Sequence, residues 1–113
     1  MQGTTYTPDQ WVILRMITPE YGTIDKILCS WAGSYLYGSS WKLSSGMLTF
    51  EQDPYKDLWV SKQDSGSVYL LRETSEGMSG IMSSIYQTIL EQVQEYNGTV
   101  DVVAAKDYKV VNK

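Results

Sequence analysis

The chain contains no histidine and a single cysteine, Cys29, in 113 residues. The missing imidazole removes the commonest general base, the commonest metal ligand and every histidine-based catalytic triad. A lone cysteine forms no intrachain disulfide and supplies too few ligands for a structural zinc site. Long apolar runs are missing too: the longest, Trp11 to Leu14, falls far short of the ~20 residues that span a bilayer. Residues 1–10 carry no cationic start and no apolar stretch, so neither a secretory signal nor a membrane partner is expected. The expected compartment is the reducing cytoplasm. There, Asn97-Gly98-Thr99, which fits the glycosylation pattern, reads instead as the end of a helix.

Positive charge is in short supply as well. Nine Lys and Arg face thirteen Asp and Glu, a net charge of −4, and Glu73 to Ala105 holds five acids and no base. Nucleic-acid binding draws much of its affinity from cations that neutralise phosphates, so the balance disfavours it. Lys26, Lys42, Lys56, Lys62 and Arg72, all outside that acidic stretch, leave a local basic patch open.

Apolar bulk, by contrast, is plentiful: four Trp, nine Tyr and five Met join many Ile, Leu and Val. The length suits one folded domain over 1–113, since domains run to about 50–250 residues. No linker or charge block divides it. Residues 11–18 are β-branched and aromatic and stop at Pro19, which cannot donate to a ladder. Val12, Leu14 and Met16 share one face, and Trp11, Ile13, Arg15 and Ile17 the other. A strand apolar on both faces is central, closed into a barrel, or covered by another subunit.

Further strands are expected at 24–32, 40–51, 57–62, 67–73 and 99–105. In the third, Trp41 and Leu43 lie on one parity and Leu48 and Phe50 on the other, with Ser45-Gly46 between them. Such a switch at a glycine marks a bulge or sharp bend. A helix is expected over 79–97. Met78, Ile81, Met82, Ile85, Ile89, Val93 and Tyr96 recur at spacings of three and four, Ser79 caps the start, and Asn97-Gly98 closes the end. Lys106 to Lys113 reads as a fraying tail. The expected fold is mainly β (α+β): a small, strongly bent antiparallel sheet or barrel with one amphipathic helix near the C-terminus.

No residue set for catalysis, cofactor or metal binding emerges. Cys29, mid-strand among apolar neighbours, reads as a small buried hydrophobe. Glu51, Asp53 and Asp57 cluster near a turn; a carboxylate hydrolase on Glu51 and Asp53 is the weakest alternative. The cluster lacks the alternating-acid pattern of a calcium loop. The most unusual segment is Ser30 to Gly46, with two Trp and two Tyr among small residues. Tyr35, Tyr37, Trp41 and Lys42 are its candidate binding residues, since aromatics beside a cation form stacking platforms for bases or protein partners. For Trp31 and Trp41 the favoured reading is as core residues of paired strands.

Tyr6-Thr7-Pro8-Asp9-Gln10-Trp11, Ser40-Trp41-Lys42-Leu43-Ser44-Ser45-Gly46 and Ser65-Gly66-Ser67-Val68-Tyr69 together resemble short uncharacterised proteins of marine cyanophages and related marine sequences. The likeness covers most of residues 6–80 and implies a viral or marine source, with action in the host cytoplasm. The strand succession also looks like a small Sm-like or SH3-like barrel. The RNA-binding motifs of the Sm family do not carry over: Asn97 and Asn112 are the only asparagines, and neither Arg15 nor Arg72 precedes a glycine. The expected function is a non-enzymatic binding or assembly module, a homo-oligomer, with an Sm-like RNA or single-strand binder as the alternative.

Overall fold

A computed structural model of the chain describes residues 4–34, 38–53 and 55–109. Its elements are β1 (Thr5–Tyr6), β2 (Gln10–Thr18), β3 (Gly22–Ser34), β4 (Gly38–Leu43), β5 (Glu51–Asp53), β6 (Leu58–Lys62), β7 (Val68–Arg72), α1 (Gly80–Glu95) and β8 (Thr99–Val103). They build two four-stranded sheets. One has the order β4-β3-β2-β8 and is antiparallel throughout; the other has the order β1-β7-β6-β5, with β1 parallel to β7. The expected mainly β fold with one helix near the C-terminus is present. The sheets do not close into a barrel among the described residues.

The alternation within β2 sets the layers. Trp11 and Ile13 join Ile27, Cys29, Met47, Tyr69 and Leu71 in a core between the two sheets. Val12 and Leu14 turn the other way and meet Met82, Ile89 and Val100 beneath α1. The doubly apolar strand is therefore central, covered by a second sheet on one side and by the chain's own helix on the other. α1 lies on the outer face of the β4-β3-β2-β8 sheet. Trp11 also ties the sheets together, donating its indole N–H to the Arg72 carbonyl at 2.8 Å.

The expected strand over 40–51 is two strands in different sheets. Leu43, at the end of β4, packs in the helix-side core, whereas Phe50 packs between the sheets. The connecting residues change partners on the way. Ser44 exchanges hydrogen bonds with Ile27 of β3, and Leu48 N–H donates to the Lys62 carbonyl of β6. The parity switch is thus a crossing between sheets, not a bulge within one.

The helix starts where expected. Ser79 Oγ accepts from Met82 N–H, and Ser30 Oγ and Ser79 Oγ lie 2.8 Å apart, joining the cap to β3. Tyr96 is corrected: it is largely exposed instead of lying on the packed face. The tail is corrected too. Ala105 and Tyr108 are buried in the inter-sheet core, and Ala105 N–H donates to the Glu76 carboxylate at 2.8 Å. Residues 104–109 thus form a strap held at Ala105 and Tyr108, while 110–113 of the expected tail lie outside the described residues.

Candidate functional site

Strands β6 and β7 carry apolar residues on both parities, like β2. Ser61, Tyr69 and Leu71 are buried inward, with Trp59 beside them. Strand alternation turns Leu58, Val60, Lys62, Val68, Leu70 and Arg72 outward. The register pairs Val60 with Leu70, Lys62 with Val68 and Leu58 with Arg72. Four half-buried aliphatic side chains, Leu58, Val60, Val68 and Leu70, thus form one block on the outer face. None of the four belongs to either core, whereas α1 covers the corresponding face of the other sheet.

The rim of the block is charged. Glu51 pairs with Val60 and Asp53 with Leu58, which places both acids along the β5 side. Together with Gln52, Tyr55 and Val60 they line a shallow open bowl of about 490 Å³. Tyr55 stands at its edge, 95% exposed. Asp53 Oδ1 accepts from Tyr55 N–H at 3.0 Å, so this carboxylate shapes the turn. Gln52 is hydrogen-bonded to Glu73. Glu51 and Asp53, the pair considered for hydrolysis, stand on an edge strand beside an apolar surface. Among the described residues no three His, Cys, Asp or Glu gather closely enough to hold a metal ion.

Trp41 and Lys42, expected to act together, point to opposite faces of β4. Trp41 pairs with Ser30 on the helix side and is 44% exposed. Lys42 pairs with Cys29 and faces the other sheet, where its ammonium sits 5.1 Å from the centre of the Tyr6 ring. Tyr6 stacks on Tyr69 with ring centres 5.0 Å apart and leans on Trp31 at 6.0 Å. Consecutive strand residues cannot serve one platform. Tyr35 and Tyr37 lie outside the described residues.

Two buried groups have structural settings. Cys29 is fully buried, and burial pushes its thiol up to about 12 although the Lys42 ammonium pulls it down. A thiol held protonated in this way is a poor nucleophile, in keeping with a core role. Asp25 is 2% exposed and takes both Arg15 Nε at 2.9 Å and Nη2 at 3.1 Å. That bidentate pair raises the guanidinium above its ordinary value.

The aliphatic block escaped the sequence reading, although its signal was there. Leu58, Val60, Val68 and Leu70 give the hairpin a second apolar face, the same pattern that marks coverage in β2. No family model matches the chain, and no curated protein or solved structure matches it. Among the described residues no helix is long and apolar enough to cross a membrane.

Proposed function

We propose that this chain is a non-enzymatic assembly module that works by associating with copies of itself. One observation carries the reading: the outer face of the β1-β7-β6-β5 sheet presents Leu58, Val60, Val68 and Leu70 with no covering element among the described residues. Contiguous apolar patches with a polar rim mark interaction surfaces on soluble proteins. This face replaces the doubly apolar β2 as the reason for expecting assembly, since β2 is covered internally. The viral accessory role in the host cytoplasm that the resemblance of residues 6–80 implies is part of this proposal.

Size-exclusion chromatography with light scattering tests the reading, with absorbance followed at the protein and nucleic-acid wavelengths together. The expected result is a mass above the 12.8 kDa monomer that rises with concentration, with no nucleic-acid absorbance. A monodisperse monomer at every concentration removes the assembly reading. Co-eluting nucleic acid replaces it with the single-strand binder.

A further inference from the structure

The geometry points to a specific occupant of this outer sheet face: a second copy of this chain, docked face to face about a two-fold axis running along β6. This rests on the assembly reading and goes beyond it by naming the surface and the register. The charges on the face carry it. Asp53, Leu58 and Arg72 lie in one row across β5, β6 and β7, with the acid and the cation on opposite sides of the leucine. A half-turn along β6 exchanges the β5 and β7 columns. It therefore sets Asp53 of each copy over Arg72 of the other, twice by symmetry, and stacks Leu58 and Val60 on their counterparts.

The aliphatic part of the face fits this register. Leu70 and Val68 flank the central strand, and the Glu51 stem lies over the Leu70 column. Lys62 meets its own counterpart at the end row, a like-charge contact that opposes the register and is weakened because each ammonium reaches water. Arg72 Nη2 donates to the Pro8 carbonyl at 3.4 Å and contacts Asp9 at 3.5 Å, which leaves Nε and Nη1 of the guanidinium for a second carboxylate. Paired sheets of this kind pack roughly 10 Å apart with strands nearly aligned.

Size sets the strength. The fifteen residues of the four strands give a flat footprint of roughly 240 Å² per copy. Stable complexes bury about 800 Å² per partner, so the dimer is weak and concentration-dependent.

Sedimentation equilibrium of the full chain up to about 1 mM, a range suited to a small interface, tests the inference. Leu70→Glu is expected to abolish association. Asp53→Lys and Arg72→Glu are each expected to weaken it by about tenfold, and the double variant to recover most of that loss, as a direct charge pair requires. Circular dichroism and melting confirm that each variant is folded, and the Leu70→Glu result stands independently if Arg72→Glu is not. Association unchanged by Leu70→Glu overturns this face while leaving the assembly reading intact. Loss with Leu70→Glu but no charge-swap recovery overturns the register. A wild-type monomer throughout overturns both.

Discussion

Tyr108 donates its phenol hydrogen to Oδ2 of Asp25 at 2.7 Å, across 83 positions of chain. The same carboxylate holds Arg15, and Arg15 Nη2 in turn donates to the Lys109 carbonyl at 3.2 Å. The C-terminal strap is therefore fastened to a charge on β3 that is itself nearly out of water. Hydrogen bonds to charged groups contribute about 1.5–3 kcal/mol. Tyr108→Phe keeps the ring that meets Phe50 edge-on at 5.2 Å and removes only the donor. Urea unfolding is expected to show a loss in that range; an unchanged midpoint would mean that the strap is held by packing alone.

Ile13 and Leu14 are neighbours in sequence and lie in different cores. Ile13→Ala and Leu14→Ala are each expected to cost about 2–5 kcal/mol, as buried large-to-small changes do. The Leu14→Ala cost should not vary with protein concentration, because α1 of the same chain covers that face. A cost that shrinks on dilution would show that a partner subunit does the covering.

The layers were legible where a pattern ran long enough to carry a period. Nine residues of alternation in β2 and four turns of α1 each fix a face. Two residues, Thr5–Tyr6, carry no period, so the parallel pairing of β1 with β7 had no local signal. Parity told that the chain turns near Ser45-Gly46, yet a bulge and a crossing between sheets shift parity alike. Only the long-range partners of Ser44 and Leu48 separate the two. The burial of Tyr108 is likewise a tertiary fact, set by a carboxylate on a distant strand. At the candidate site, Trp41 and Lys42 were read by composition, where alternation already placed them on opposite sides.

The turn after α1 depends on two adjacent residues with different tasks. Asn97 adopts φ +61°, the left-handed conformation that ends many helices, and its N–H donates to the Gln94 carbonyl. Gly98 has no room for a side chain: an added Cβ would lie 2.6 Å from the Ile17 carbonyl oxygen and 2.7 Å from a Val93 methyl. Gly98→Ala is expected to cost about 1–3 kcal/mol through overpacking against backbone. Asn97→Gly, which frees the positive φ, should change stability far less. Thermal melts of the two variants check this, and equal losses would refute the division of roles.

Alkaline pH should unfold this protein through groups that burial keeps protonated. Burial raises the Cys29 thiol from 9.0 to about 12, and raises the phenols of Tyr69 and Tyr108 above their ordinary 10.0. For Tyr108 the Asp25 carboxylate adds to the effect of burial, because deprotonation would lose the hydrogen bond to it and leave a phenolate beside a like charge. When the chain unfolds, these groups regain ordinary values and release protons that the folded state keeps. The unfolded state then binds fewer protons, so stability falls as pH rises, by about 1.4 kcal/mol per pH unit for each group in its window. The contribution of Cys29 is complete below pH 9.0 and is lost progressively toward about 12, with the tyrosines joining above 10.0. Cys29→Ala abolishes the first part of that slope while leaving the tyrosine part. Urea unfolding of both proteins at closely spaced pH values should therefore show the wild type falling alone between 9.0 and 10.0. Parallel curves over that interval would mean that the Cys29 thiol titrates as freely in the fold as outside it.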